Sequence, residues 1–187
     1  MREDTKFRVR AFRKALELAA GERSEECSHL GRWKTDLHNF PRGSCDMASN
    51  CLAQYLTEKK CGYPFIIFMN GRRLEKSTVQ GHVIVMLDGE YIDLTLDQFE
   101  EYPDYIMVEP MESGGVVGTL LRRIAEIEGT IETRPIKLTS YTTSGNDMYA
   151  WLRDTADQIL EEEERESCQQ EIPDFREKIT IGYSGQN

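Results

Sequence analysis

The chain has 187 residues, with 33 acidic against 23 basic side chains and a formal net charge of −10, long enough for one domain with a real hydrophobic core. That acidity disfavours a nucleic-acid partner, because such binding is driven by Lys and Arg displacing counterions from phosphates. No apolar run follows Met1-Arg2-Glu3-Asp4, and no stretch approaches the roughly 20 apolar residues of a membrane span, so a cytoplasmic protein without membrane contact is expected.

Residues 6–20 place Phe12, Ala15, Leu16 and Ala19 at helical spacing and stop at Gly21, which predicts an N-terminal amphipathic helix. Lys6, Arg8, Arg10, Arg13 and Lys14 read as its solvated basic face. Residues 22–42 form a long polar loop broken by Gly31, Asn39 and Pro41, with Trp33, Leu37 and Phe40 as anchors. The clearest helix spans 45–59, where Ala48, Cys51, Leu52, Tyr55 and Leu56 form a buried stripe.

Residues 64–69 suit a buried strand closed by Asn70-Gly71, and residues 79–87, Asp88-Gly89 and residues 90–95 make a β-hairpin. A strand is expected at 105–108, a helix at 116–128 after Gly114-Gly115, and a strand at 134–138. Asn146 caps a last helix through Trp151, Ala156 and Ile159, which runs into Glu161-Glu162-Glu163-Glu164, a solvated or frayed block. The expected organisation is a single α+β domain over 1–160 with an acidic appendage at 161–187.

Five cysteines, Cys27, Cys45, Cys51, Cys61 and Cys168, form an odd set without CxxC spacing. Reduced thiols are expected, with neither a disulfide framework nor a zinc site, and no cofactor. Cys51 belongs to the buried stripe and Cys61 to the helix exit beside Gly62, but Cys45 begins the helix, with Ser44 as the expected N-cap. A thiol there faces unpaired N–H groups and the positive end of the helix dipole, which favour the thiolate and can donate to a developing oxyanion.

The hairpin adds the partners. With Asp88-Gly89 as a two-residue turn, Leu87 faces Glu90, Ile84 faces Asp93 and His82 faces Thr95, so His82 and Asp93 are diagonal neighbours on one sheet face. Val83, Val85, Leu87, Ile92 and Leu94 make the opposite, core face, while Ile84, Met86 and Tyr91 share the face of His82. A carboxylate accepting the imidazole N–H fixes the tautomer and leaves the other nitrogen for the thiol.

Asp97 is the competing carboxylate, past the paired part of the hairpin. Thr95 and Gln98 either bind substrate or finish the strand, His38 lies on the loop before Cys45, and His29 has no supporting context. Asn39, six residues before Cys45, has an amide suited to a second oxyanion donor if the loop folds back. The candidates are therefore Cys45, His82 and Asp93 for catalysis, with Asn39, Ser44 and Gln98 for oxyanion or substrate binding.

A helix-borne cysteine, then a strand-borne histidine, then an Asp on the next strand resembles the papain-like and transglutaminase-like superfamily over roughly residues 38–99. The resemblance implies a core in which the Cys45 helix packs on an antiparallel sheet carrying His82 and Asp93, with Cys45 as nucleophile, His82 as general base and then acid, and Asp93 orienting His82. Papain-like enzymes often have a Gln where Asn39 stands. Arg42-Gly43-Ser44-Cys45 is similar to, but one residue shorter than, the lead-in of arylamine N-acetyltransferases, so acetyl-CoA is not expected.

The expected function is a thiol-dependent hydrolase or acyl-transfer enzyme acting on amide bonds of a protein or peptide. Peptidase, isopeptidase, deamidase and transglutaminase chemistry all remain open, as does the oligomeric state. The alternatives are a catalytically inactive domain of the same fold that binds a peptide or protein, and an interaction protein whose acidic residues 161–166 meet a basic partner.

Overall fold

A computed structural model of the protein describes residues 1–23, 37–71, 74–75, 77–102, 106–138 and 148–170. Helix α1 (Glu3–Leu18) starts earlier than its apolar spacing suggests, because Glu3 and Asp4 occupy its first turn, where carboxylates complement the helix dipole. It buries Val9, Phe12 and Leu16 and passes into a π-helical turn at Ala19–Arg23. Helix α2 (Cys45–Glu58) buries nine of its residues, Ala48, Cys51, Leu52, Tyr55 and Leu56 among them. The chain leaves it through Lys60 at φ 56, with the Cys61 N–H bonded to the Leu56 carbonyl.

Strands β1 (Phe65–Asn70), β2 (Gly81–Leu87), β3 (Glu90–Asp93), β4 (Met107–Pro110) and β5 (Thr130–Arg134) form an antiparallel sheet in the order β4-β3-β2-β1-β5. With helices α3 (Val116–Glu126) and α4 (Met148–Gln170), the described residues make an α+β domain of a five-stranded antiparallel sheet and four α-helices. Asp88 and Gly89 both have positive φ, 50 and 76, the two-residue turn whose twist matches the flanking strands.

Two strands lie off their expected places. The fourth is Met107–Pro110 rather than 105–108, residues 103–105 lying outside the described set. The fifth is Thr130–Arg134 rather than 134–138: it is an exposed edge strand defined by pairing with β1, while Ile136 and Leu138 pack on the core without strand pairing. The expected start of the last helix at Asn146 falls outside the described residues. Helix α4 itself runs without interruption across position 160 and through the glutamate block, tied to α1 by Lys14–Glu163 at 2.5 Å. Among the described residues no helix is long and apolar enough to cross a membrane.

The sheet separates two apolar clusters. On one side α1, α2 and α4 pack against Ile66, Val83, Val85, Leu87, Ile92 and Leu94. On the other, Val117, Leu120, Leu121 and Ile124 of α3 cover Ile67, Met69, Ile84 and Tyr91, joined by Leu96 and Phe99. The sheet face that carries Ile84 and Tyr91 is thus a second core. Glu109 on β4 fixes α3 to the sheet by accepting the Val117 and Gly118 N–H groups at 3.1 and 2.7 Å.

Arg13 departs from the solvated basic face assigned to it. It is 4 % exposed; its guanidinium donates to the Leu94 carbonyl and to both Asp97 oxygens, at 3.1 and 2.9 Å, and lies 4.5 Å from the Phe40 ring centroid. A planar fork matched to a carboxylate is the geometry arginine favours for a buried pair. Burial raises the Asp97 carboxyl above its ordinary range even though Arg13 pulls it down. Replacing Arg13 alone strands that carboxylate and the Leu94 carbonyl. Arg13→Met is therefore expected to cost about 3 kcal/mol in urea unfolding, and Arg13→Met with Asp97→Leu to cost less than Arg13→Met alone.

Candidate functional site

Cys45 is reached through a tight succession of turns. The Phe40 N–H bonds the Leu37 carbonyl, Arg42 N–H that of Asn39, and Ser44 N–H that of Pro41, at 3.1, 2.6 and 3.3 Å. Gly43 sits at φ 71 with open space around its Cα, so backbone conformation rather than crowding calls for glycine there. Leu37 is buried at the start of this run and Ser44 at its end.

Ser44 takes the N-cap position of α2 but not the expected cap bond. Its backbone is already helical, at φ −95 and ψ −1, and its hydroxyl turns to the Arg42 carbonyl at 3.4 Å instead of the first-turn N–H groups. An extended backbone is what lets an N-cap side chain reach forward. Cys45 follows, partly buried, while Cys51 and Cys61 are buried in the first core.

His82 and Asp93 come together as the hairpin register implies. Val85 pairs with Ile92, Met86 with Tyr91 and Leu87 with Glu90; past Val85 the β2–β3 ladder stops, while Asp93 pairs with Met107 on β4. In that opening His82 Nε2 lies 2.6 Å from Asp93 Oδ2, with His82 0 % and Asp93 1 % exposed. Asp93 Oδ1 accepts the Thr95 N–H at 2.9 Å and its hydroxyl at 3.4 Å. This is an Asx-type turn that holds the carboxylate still. The Phe99 ring meets the imidazole edge-on, with centroids 5.0 Å apart.

The remaining ring nitrogen, Nδ1, faces the Gln98 amide at 3.3 Å. Gln98 stands on the short 3-10 turn Leu96–Gln98 and bridges two backbone groups: Oε1 accepts the Gly43 N–H at 3.2 Å, and Nε2 donates to the Thr95 carbonyl at 2.8 Å. It therefore does more than finish the strand. Asp97, the competing carboxylate, is occupied by Arg13. Asn39 and His38 are exposed in the turn before Cys45, and His29 lies outside the described residues.

Burial alone would lower the His82 pKa, but the Asp93 carboxylate, by charge and hydrogen bond, and then the Cys45 sulfur by the same two routes, raise it to about 10. The thiol and the carboxylate thus act on one imidazole. Two residues outside the expected set hold this arrangement. Ser49, one helical turn after Cys45, donates from its hydroxyl to the Val83 carbonyl at 2.9 Å, and Arg13 anchors the turn that carries Gln98. A polar residue inside the buried stripe of α2 was the available signal for Ser49; no local pattern marks Arg13.

A pH dependence with a definite sign follows. With Asp93→Asn, His82 loses the larger of the two groups that raise its pKa against burial, so that pKa should fall from about 10, as read by NMR titration of the ring. In the unsubstituted protein the raised His82 pKa contributes stability that is complete below about pH 6.5. That contribution is lost as pH rises through about 10. The stability difference between the two proteins should therefore be largest in acid and shrink through the alkaline range.

No family model matches the chain, and no solved structure matches it. It is similar to the uncharacterized protein YuaU of Escherichia coli strain K12, at 37% identity over 155 residues, covering 78% of this chain and 67% of that protein. The same identity and coverage hold for YuaU of Escherichia coli strain UTI89. An identity of that size over most of both chains places this protein in the family of YuaU.

Proposed function

We propose that the protein is a thiol-dependent hydrolase or acyl-transfer enzyme of papain-like or transglutaminase-like architecture, acting on amide bonds of a protein or peptide. The observation that carries the reading is a partly buried thiol at a helix N-terminus coupled to a buried imidazole whose far nitrogen is 2.6 Å from a carboxylate. A lone buried cysteine needs no such company.

In this mechanism the proton shared by Cys45 and His82 rests on the imidazole, whose pKa is raised, and the thiolate forms a bond to the carbonyl carbon of the amide. The carbonyl electron pair moves to oxygen as the tetrahedral intermediate forms, and the oxyanion lies near the first-turn N–H groups of α2. The C–N bond then breaks, His82 returns its proton to the leaving nitrogen, and a thioester remains on Cys45. Water or an amine, deprotonated by His82, attacks that thioester and restores the thiol. Asp93 keeps Nε2–H directed toward itself throughout and stabilises the imidazolium.

A second reading has one observation behind it: His82 has no exposed surface. On that ground the chain is a catalytically inactive domain that binds a peptide or protein. Thiol chemistry separates the two readings. For the enzyme, iodoacetamide at pH 7 should label Cys45 well ahead of Cys51 and Cys61, and His82→Ala should slow the labelling about a hundredfold. Labelling of Cys45, Cys51 and Cys61 at similar rates would sink the enzyme reading.

A further inference from the structure

Nδ1 of His82 is the atom that must accept the thiol proton, and another group already faces it. The Gln98 amide is 3.3 Å away, and its orientation is set by two backbone groups that tell its oxygen from its nitrogen. The Gly43 N–H requires an acceptor and meets Oε1; the Thr95 carbonyl requires a donor and meets Nε2. Rotating the amide by half a turn would set donor against donor at Gly43 and acceptor against acceptor at Thr95. It is therefore an N–H that is presented to Nδ1.

Such a donor bonds to Nδ1 only while that nitrogen keeps its lone pair. Once Nδ1 is protonated, two N–H groups face each other and the contact turns unfavourable. The amide cannot turn to relieve it without losing both backbone partners. The turn that carries it is itself held, because neighbouring Asp97 is clamped by buried Arg13.

We propose that Gln98 is a positioning residue that weighs against the protonated form of His82 and so limits how far the Cys45 proton is drawn onto Nδ1, a limit lifted when the Gln98 amide leaves that nitrogen. Gln98 also links the two halves of the site, since Gly43 lies two residues before Cys45 and Thr95 two after Asp93. A substrate that competes for the Gly43 N–H would loosen the amide from one of its two backbone holds. An extended peptide carries a row of carbonyl oxygens that can accept that N–H, which ties release of the thiol to arrival of the amide substrate. This inference rests on the thiol-enzyme reading and adds its regulation.

Among the described residues, the elements that meet at His82 carry these charged and titratable groups. Asp93 comes from β3, Cys45 and Asp46 from the start of α2, and Asp97 with its partner Arg13 from the 3-10 turn and α1. Asp93 favours the imidazolium, and so does a thiolate at Cys45; the Gln98 N–H opposes it. Removing the Gln98 donor should therefore make His82 more basic and the Cys45 thiol more acidic.

The test is the pH profile of Cys45 alkylation by iodoacetamide, with Gln98→Met keeping the side-chain length without the donor, and Gln98→Ala as a second variant. The midpoint should move to lower pH, and alkylation below the original midpoint should rise about three- to ten-fold, the worth of one hydrogen bond. A part limited to holding the loops together would lower reactivity at every pH without a downward shift. An unmoved or raised midpoint overturns the proposal.

In the unsubstituted protein the Gln98 side-chain amide protons, followed by NMR, should shift as His82 titrates; amide signals blind to that titration overturn it as well. The two readings fail separately. A Cys45 no more reactive than Cys51 and Cys61 removes the thiol-enzyme reading and this proposal with it, whereas a reactive Cys45 with an unmoved midpoint removes the Gln98 proposal alone.

Discussion

The hydrogen bond from the Ser49 hydroxyl to the Val83 carbonyl sets the distance on which the site depends. Ser49 lies four residues after Cys45, one turn along the same helix face. Val83 is next to His82, about 3.3 Å along its strand. A buried side chain four residues from the thiol is thus bonded to the backbone one residue from the imidazole. Apolar packing between α2 and the sheet is non-directional and tolerates small slides; this bond does not. Asn50 adds a second tie, its side-chain oxygen accepting the Lys137 N–H at 2.7 Å and its amide donating to the Asp46 carbonyl.

That tie matters because thiol and imidazole approach from opposite sides of the sheet. Strand alternation sends His82 to the side of Ile84, the face covered by α3, while Cys45 sits on a helix packed against Val83 and Val85. They meet only because the β2–β3 ladder ends at Val85. Beyond that pair the sheet no longer separates its two faces, and His82 lies between Phe99 of one core and Cys45 of the other. The site occupies a seam, and the loops on either side of it, the turn before Cys45 and the 3-10 turn after β3, are joined by Gln98 and braced by Arg13.

The legible parts of this protein were those whose signals are local. The α2 stripe needs only the helical period, and the hairpin register needs only Asp88-Gly89, so the neighbourhood of His82 and Asp93 could be read without knowing the rest of the fold. Arg13 was misread because its partners, Leu94 and Asp97, are more than 80 residues away, and a helix wheel cannot distinguish a buried cation with a distant carboxylate from a solvated one. Strand β5 was misplaced because an exposed edge strand has no apolar alternation; pairing with β1 defines it, and that pairing spans some sixty residues. Ser44 misled in the opposite way, a favoured N-cap residue whose backbone conformation keeps its side chain from the role.

The distribution of hydrogen bonds around His82 bears on whether the pair is structural or chemical. Burying a polar pair instead of two apolar side chains of similar volume usually gains no stability, so a dyad with no other role is best served by satisfying every group. Asp93 meets that condition on both oxygens, with Oδ2 held at 2.6 Å and Oδ1 taken by Thr95. His82 does not: one nitrogen is tightly held, and the other has a contact of 3.3 Å from an amide whose two shorter allegiances lie elsewhere or are comparable in length. The looser of the two contacts is the one at Nδ1. A scaffold for proton transfer requires that asymmetry, because a ring held equally firmly at both nitrogens has none left with which to take a proton.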